Sequence, residues 1–257
     1  MLDGKVGRLP RVTENVTGIL EPNRASSSPR SDSAGEMTSV AFIPARATSG
    51  RFPGKNLSRF CGLPLVACAV RVAVAARQAR VVDDVVVSTD SAAVADAAAQ
   101  GGACTVAGRP PEVAGPQARV VDVLRRWLRD QPEPPELVCV LLPTSPLRRL
   151  RHVVEARRLL SPQVDVVLSV TPFRQDPQHA LVLADGLLTV SGVPDARPRW
   201  RHDGTVIWVR TAHLLAGRGF YDGTLAGYPV PSEDSVDVDT PLDLAWAEFL
   251  AGRAPKD

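Results

Sequence analysis

Lysine and asparagine are almost absent from this chain of 257 residues. Arginine supplies 27 of the 30 basic residues, and between residues 39 and 250 the chain has a single lysine and a single asparagine. These two residues, Lys55 and Asn56, are adjacent and lie in a loop rich in small residues. A composition so biased against both residue types indicates a function for the pair, with a solvated basic loop as the alternative.

Other absences exclude broad classes of protein. No apolar run approaches the roughly 20 residues of a membrane helix, and no signal-peptide core follows the first methionine. With a net charge of +2 and 23% charged residues, the chain lacks the basic surplus of a nucleic-acid-binding protein. Its four cysteines have no paired metal spacing, which is typical of reduced thiols. We therefore predict a cytoplasmic protein that binds neither nucleic acid nor membranes.

The composition divides the chain into a leader, one domain and a tail. Residues 1–38 are polar and show no sustained periodicity, which predicts a disordered leader. Met37 is the only internal methionine, so translation from Met37 is an alternative start. Residues 39–251 are enough to bury the core of one domain, and residues 252–257 are predicted to be a flexible tail.

Apolar runs of strand length alternate with longer segments of helical composition. This alternation predicts a Rossmann-like, three-layer α/β/α domain with a mostly parallel central sheet. A hairpin is predicted around Asp185 and Gly186, and the Pro- and Gly-rich segment 106–117 is either a mobile lid or a surface connection. The predicted strands are 40–43, 85–87, 137–142, 164–170 and 202–208, and the predicted helices are 64–80, 91–100, 119–129, 149–160 and 241–250.

The loop after the first predicted strand has the features of a phosphate site. In open α/β sheets ligands bind at the carboxyl ends of the strands, and small residues let backbone N–H groups approach a polyphosphate. The loop is not a Walker A loop, because Gly50 and Gly54 are one residue too close and Asn56 replaces the Ser or Thr. It also lacks the G-x-G-x-x-G of dinucleotide-binding domains. The cations that would neutralise the phosphates are Arg46, Arg51 and Lys55.

An acidic loop precedes the last predicted helix. Asp237 and Asp239 are separated by one residue, so in an extended chain both carboxylates point to the same side. Two hard oxygen ligands together with phosphate oxygens suit Mg²⁺. Two alternatives stay open. The acids could complement the helix dipole, a role that Asp234 and Asp243 also fit, or form the D-x-D motif of a nucleotide-sugar glycosyltransferase.

Four segments, taken in order, resemble the signatures of one family. They are IPAR followed by PGKN within residues 43–56, VSTDS at 87–91, LPTSPLR at 142–148 and SVDVDTPLDL at 235–244. Together they make the chain similar to the sugar-acid cytidylyltransferases, which activate N-acylneuraminates (sialic acids) with CTP. The spacing S-x-R-x-P-G-K from Ser49 to Lys55 is closer to the 3-deoxy-octulosonate cytidylyltransferases.

The resemblance implies a nucleotidyltransferase that transfers CMP from CTP to an acidic sugar, releases pyrophosphate and depends on Mg²⁺. It also implies a homodimer with a small dimerisation extension at about residues 171–201. Catalytic roles fall on Arg46, Lys55 and Asp239, and metal binding falls on Asp237 and Asp239. The implied nucleotide-binding residues are Ala45, Arg46, Arg51, Lys55, Asn56, Ser88 and Asp90, and the implied substrate-binding residues are Thr144, Ser145, Arg148, Arg199 and Arg201, with Arg174 and Arg197 as further candidates for the substrate carboxylate.

Two positions depart from the family's pattern. Leu142 stands where the sialic-acid enzymes have a Gln that contacts the sugar, and Asp203 stands where Asn is usual. We expect a nonulosonate or related keto-sugar acid as acceptor. The alternatives are a phosphonate or other acidic acceptor, and a degenerate relative that binds CTP without turnover. No Ser/His/Asp triad is apparent, because the four histidines lie outside the matched segments.

Overall fold

The computed structural model of this chain describes residues 38–253, with the exception of residues 103, 116, 176, 186, 191 and 193–198. Residues 1–37 of the predicted leader, which include the alternative start Met37, lie outside the described residues, as do the candidate Arg197 and residues 254–257 of the predicted tail. Within the described part, no helix has the length and apolar character needed to cross a membrane.

The elements alternate along the chain much as the sequence predicts. The helices are α1 (Leu65–Gln78), α2 (Ala92–Ala99), α3 (Val120–Arg129), α4 (Leu150–Arg157), α5 (Thr211–Leu215) and α6 (Pro241–Arg253). The strands are β1 (Ser39–Pro44), β2 (Arg59–Phe60), β3 (Leu63–Pro64), β4 (Asp84–Thr89), β5 (Thr105–Gly108), β6 (Leu137–Val140), β7 (Val166–Pro172), β8 (Leu181–Ala184), β9 (Leu187–Val190), β10 (Trp200–Arg210) and β11 (Leu225–Pro229).

The central sheet has seven strands in the order β11-β7-β10-β6-β1-β4-β5. Strand β1 pairs in parallel with β4 and β6, β4 with β5, and β7 with β11. Only β10 among the described strands of this sheet runs antiparallel to its neighbours, β6 and β7. The prediction of a mostly parallel sheet is confirmed. Because β1, β4 and β6 are parallel, the loops that follow them meet at one edge.

Helices cover both faces of the sheet. Every residue of β1 and β6 is buried, as expected for apolar central strands. Successive residues of β1 point to opposite faces, so Ile43 packs in the cluster that includes α1, α2 and α4, while Phe42 packs in the cluster that includes α3 and α5. This arrangement confirms the three-layer α/β/α prediction.

Some predicted boundaries are wrong. Helix α6 continues past its predicted end at residue 250 to Arg253, because Leu250 and Ala251 still pack on the apolar cluster around Val238, so residues 252 and 253 of the predicted tail are helical. The segment 106–117 contributes the edge strand β5, which the sequence analysis missed, as it missed α5 and β11. These three elements have only four or five residues each, too few to show a periodicity.

A hairpin forms at the predicted position. Strands β8 and β9 pair antiparallel as a separate two-stranded sheet, and Asp185 adopts a left-handed φ of 51° in the turn. Five large aliphatic side chains of this hairpin are between 52% and 75% exposed, namely Leu181, Val182, Leu183, Leu187 and Leu188.

Candidate active site

The loop that follows β1 is fastened to the end of β4. The Ala45 N–H donates to the Ser88 carbonyl at 2.9 Å, and the Ala47 N–H donates to the Asp90 carboxylate at 2.7 Å. Strand pairing puts Pro44 beside Ser88, so these contacts extend the parallel ladder into the loop. The structure therefore gives Ser88 and Asp90 a part in shaping the loop, and their contact with a nucleotide stays a prediction.

The adjacent residues Lys55 and Asn56 have different roles in this loop. Gly54 takes a left-handed φ of 69°, which glycine adopts without strain, and a single 3-10 turn follows over Lys55–Leu57. Asn56 is buried, and its side-chain N–H donates to the Arg46 carbonyl at 2.8 Å, which closes the loop on itself. The Lys55 side chain is only 14% exposed and extends out of this frame toward the acidic loop.

The basic and acidic loops meet. Lys55 Nζ lies 2.8 Å from one oxygen of Asp239, and the Arg51 guanidinium lies 2.7 Å from the other. Between the two acids, the Val238 N–H donates to the Thr144 carbonyl at 2.8 Å. Three segments far apart in sequence thus converge at the carboxyl edge of the sheet: the loop after β1, the loop after β6 and the acidic loop before α6.

The acidic residues separate into two groups. Asp243 accepts hydrogen bonds from the Asp239 N–H and from Thr240, whose own hydroxyl accepts from the Asp243 N–H, so this residue caps α6. Desolvation acts to raise the pKa of Asp243, but the bonds from Thr240 and the backbone lower it overall. Asp234 pairs with Arg151 at 2.6 Å instead. The helix-capping alternative therefore applies to Asp243 and leaves Asp237 and Asp239 for another role.

Asp237 has an unfavourable electrostatic position. Asp237 as a whole residue is exposed at the surface, but neighbouring groups crowd its carboxyl, and this desolvation raises the pKa. The charge of Asp239 raises it further. A hydrogen bond with the Thr144 side chain and the charges of Lys55 and Arg51 lower it in part. The two carboxylates are close enough to repel each other, a state that a bound cation relieves. Within the described chain no group of three or more His, Cys, Asp or Glu side chains could hold a metal, so this pair could hold one only together with ligands from a substrate.

A cleft of about 210 Å³ opens between the loops after β1 and β6. Arg109, which the sequence analysis missed, donates to the Ser88 carbonyl at 3.4 Å, and its Nε is buried without a partner among the described residues. Desolvation lowers the pKa of Arg109, and the nearby charge of Arg46 lowers it further. Arg109 lies directly after β5, a strand too short to be predicted from the sequence. The polar residues that line the cleft are Arg46, Ser49, Lys55, Asn56, Arg109 and Thr144.

The structure gives Arg148 a structural role, and its predicted part in substrate binding stays a prediction. Its side chain is buried, and its guanidinium donates to the backbone carbonyls of Leu142, at 2.6 Å, and of Thr205. Burial lowers its pKa to about 10. Arg148 therefore fastens the loop after β6 to β10 and does not line the cleft. Ser145 is buried beside the same strand, and its hydroxyl has no partner in the described part of the protein.

Leu142 and Asp203, the two residues that differ from the family's pattern, have different surroundings. Leu142 lines the cleft, as expected for a residue near the ligand. Asp203 is buried and accepts hydrogen bonds from Ser169 at 2.5 Å and from the Thr205 hydroxyl at 2.8 Å, so its carboxylate points into the protein. The exchange of Asn for Asp at this position therefore alters the interior of the sheet more than the cleft.

The start of β10 carries the remaining candidates. Arg199 and Arg201 are partly exposed and lie beside the end of β7, at the carboxyl edge of the sheet, but they do not line the cleft. His202 follows them, with Nδ1 2.9 Å from the Tyr221 hydroxyl and with Nε2 buried without a partner among the described residues. Desolvation lowers the pKa of His202, and the charges of Asp203 and Asp237 oppose this shift. The sequence analysis gave this histidine no role.

The fold and the candidate site are those of an α/β nucleotidyltransferase, and comparison with known proteins confirms this class. A family model described as cytidylyltransferase matches residues 40–175. The chain is 31% identical to the CMP-N,N'-diacetyllegionaminic acid synthase of Legionella pneumophila over 83% of its own length and 96% of that protein. It is 29% identical to an N-acylneuraminate cytidylyltransferase of Streptococcus agalactiae over 81% of its own length, and it spans about half of that relative, 52%.

The chain belongs to the cytidylyltransferase family. Among solved structures, a CMP:2-keto-3-deoxy-manno-octonic acid synthetase complexed with CTP matches with a TM-score of 0.62 and 19% identity, over 84% of this chain and 99% of that one. At this identity the match concerns the fold alone. Family membership decides against the glycosyltransferase interpretation of the D-x-D motif.

Proposed function

We propose that this chain transfers CMP from CTP to an acidic sugar, a nonulosonate or related keto-sugar acid, and releases pyrophosphate. The observation that carries the proposal is the 2.8 Å contact between Lys55 and Asp239. It joins a cationic loop and an acidic loop, 184 residues apart, at the carboxyl edge of a parallel sheet. The names of the relatives, which are legionaminic acid and N-acylneuraminate enzymes, support an acidic sugar as acceptor.

In the reaction a hydroxyl oxygen of the acceptor forms a bond to the α-phosphorus of CTP. The bond from that phosphorus to the pyrophosphate oxygen breaks, and the hydroxyl proton is lost. Because charge accumulates on the leaving pyrophosphate, catalysis depends on positioning and charge neutralisation. Arg46, Lys55 and Arg109 line the cleft and suit this task.

Asp237 and Asp239 are the residues that we assign to Mg²⁺. The donor set fits, because Mg²⁺ is commonly bound by one or two carboxylates plus substrate phosphates. The raised pKa of Asp237 supports the assignment, since a cation relieves the repulsion from Asp239. Arg51 is 76% exposed, so its pairing with Asp239 costs little to break. The ion would neutralise phosphate charge and polarise the phosphorus.

Acceptor binding is assigned to the edge formed by Thr144 and the start of β10. Guanidinium groups bind carboxylates with two parallel hydrogen bonds, so Arg199 and Arg201 suit the carboxylate of the sugar acid. Thr144 connects the proposed acceptor site with the proposed metal site. Its carbonyl accepts a hydrogen bond from the acidic loop, and its side chain forms one with Asp237.

We further propose a homodimer in the cytoplasm that covers the β8–β9 hairpin. A two-stranded sheet is marginally stable alone, and its exposed aliphatic side chains form a patch of the kind that marks an interface. Sedimentation velocity tests this. Leu183→Ser combined with Leu187→Ser should convert a dimer into monomers, while Leu159→Ser, at an exposed leucine outside the hairpin, should leave the dimer intact. A wild-type monomer at micromolar concentration would contradict the proposal.

The function is tested by measuring pyrophosphate release with Mg²⁺, with each of the four nucleoside triphosphates crossed with nonulosonates, octulosonate and phosphonates. Release with CTP and a sugar acid is the expected result. Release with a phosphonate alone would establish the transferase and correct the acceptor. CTP binding without any release across the panel would contradict turnover and favour the degenerate relative, with Leu142 in the cleft as the first residue to replace by Gln.

A further inference from the structure

A second cavity, larger than the cleft, lies beside α6. Its volume is about 710 Å³ against about 210 Å³ for the cleft, within the range of about 300–1,000 Å³ that holds small molecules. Among the described residues that line it, none is assigned above to the nucleotide or the metal. The cavity is therefore distinct from the proposed active site.

One part of the lining is aromatic. The rings of Trp246 and Phe249 on α6 are stacked, with centroids 5.3 Å apart and planes at 18°, and Phe60 lines the same cavity. Trp246 is 40% exposed and Phe249 is 50% exposed, although only 5% of the chain is aromatic. Such rings offer a flat apolar surface on which another planar ring can stack.

Another part of the lining is cationic. Arg151 lies 2.6 Å from Asp234, and Arg149 lies 3.8 Å from the same carboxylate. At the end of α6 the Arg253 guanidinium lies 5.4 Å from the centre of the Phe249 ring, so cation and ring are adjacent. Four arginines line the cavity against the carboxylates Glu233 and Asp234, which leaves an excess of positive charge.

We propose that this cavity binds a nucleotide as a second, regulatory ligand, with the base stacked on Trp246 and Phe249 and the phosphates bound by Arg151 and Arg253. Planar rings and phosphate groups are the two features that this lining recognises. The choice of nucleotide rests on the proposed function, in which CTP is the substrate and a CMP-sugar is the product.

The cavity is physically connected to the active site. Residues 146–149 line it and continue the loop that contains Thr144, while Pro231, Glu233 and Asp234 line it and lead into Asp237 and Asp239. The hydrogen bond from the Val238 N–H to the Thr144 carbonyl joins these two segments. A ligand in the cavity therefore contacts both segments that position the metal-binding carboxylates, and its binding changes turnover.

The test is calorimetric titration of CTP, with tryptophan fluorescence, into wild type and into Lys55→Ala, which weakens binding in the cleft. Two sites per chain are expected in wild type, and the cavity site is expected to persist in Lys55→Ala. In the Lys55→Ala background, Arg253→Gln should weaken this site about 10-fold, and Trp246→Leu should remove the fluorescence change. Arg129→Gln is the matched control, because Arg129 is also an exposed arginine in the last turn of a helix.

A single CTP site in wild type, or a residual site that is unaffected by both Arg253→Gln and Trp246→Leu, would overturn the proposal. Pyrophosphate titrated alone is expected to bind the cavity more weakly than CTP, and equal affinity would overturn the stacking of the base. CMP and the CMP-sugar product, titrated separately, show whether the product binds this site as well as CTP does. The two proposals fail differently: loss of this one leaves pyrophosphate release intact, whereas failure of the proposed function abolishes release and leaves the cavity site measurable.

Discussion

The two halves of the candidate site are built differently. In the nucleotide half, cations from one loop reach across to the carboxylate of another, as Lys55 and Arg51 do with Asp239. In the acceptor half, the polar groups of Arg148 and Asp203 point inward and bond to backbone or to buried hydroxyls. The proposed nucleotide half therefore presents its cations to a ligand, while in the proposed acceptor half Arg148 and Asp203 fix the backbone and Arg199 and Arg201 remain to bind a ligand. Variants in the two halves should consequently fail in different ways.

Loss of Lys55 should have the largest effect. Lys55→Ala removes the cation that joins the two loops, and we expect pyrophosphate release to fall at least about 100-fold, roughly 2.7 kcal/mol of transition-state stabilisation. The free energy of unfolding should change little, because Arg51 still pairs with Asp239 after the change. Steady-state pyrophosphate release checks this, with Arg129→Ala as the control. Activity within about threefold of wild type would show that the cationic half does not act as described.

Asp239→Asn should have nearly as large an effect, because the change keeps the shape of the side chain and removes the charge. We expect about 100-fold less pyrophosphate release and a higher Mg²⁺ concentration for half-maximal activity. Titration of Mg²⁺ against the rate measures both. An unchanged Mg²⁺ dependence would argue against metal binding at this residue.

Asp243, four residues further along, is the natural comparison for Asp239. Asp243→Ala removes the carboxylate half of the cap of α6 and leaves the Thr240 hydroxyl in place, so it should lower the free energy of unfolding by about 1 kcal/mol, with activity retained in the remaining folded protein. Urea denaturation and the rate assay together separate the two acids. If Asp243→Ala lost activity as Asp239→Asn does, the division between capping and metal-binding acids would be wrong.

Arg148 tests the acceptor half. Arg148→Met removes the guanidinium donor from the Thr205 carbonyl and leaves the Leu142 carbonyl with the Ser145 N–H alone, so we expect about 2 kcal/mol less stability. The KM for the acceptor should rise more than the KM for CTP, because the loop after β6 loses its attachment to β10. Arg148→Lys should recover part of the stability, since one donor group remains. A purely catalytic loss without a change in stability would return Arg148 to the ligand-binding role first predicted.

The same contrast explains what the sequence predicted and what it did not. The order of strands and helices was predictable because the apolar runs of β1 and β6 are buried on both faces and leave a plain pattern. The meeting of Lys55 with Asp239 follows from the rule that parallel strands end at one edge. The inward direction of the Arg148 and Asp203 side chains was not predictable, because a sequence motif identifies a residue but does not identify the hydrogen-bond partner of its side chain. Arg109 was missed because arginine is abundant and β5 is too short to show a pattern.

Asp237 should give the smallest effect on stability and the most specific dependence on pH. Its pKa is raised, first by desolvation and further by the charge of Asp239. A carboxyl group whose pKa is higher in the folded state binds more protons when folded, so the protein loses stability as pH rises from the ordinary carboxyl value through the raised one.

Asp237→Asn removes this loss. Without Mg²⁺ the variant should therefore be more stable than wild type at about pH 7 and show no such gain at about pH 4, as measured by urea denaturation. The same variant should lose activity with Mg²⁺ and CTP. The carboxylate that lowers the stability of the metal-free protein would then be the one that binds Mg²⁺. A larger gain in stability over wild type at pH 4 than at pH 7 would reverse the predicted sign and remove Asp237 from the site.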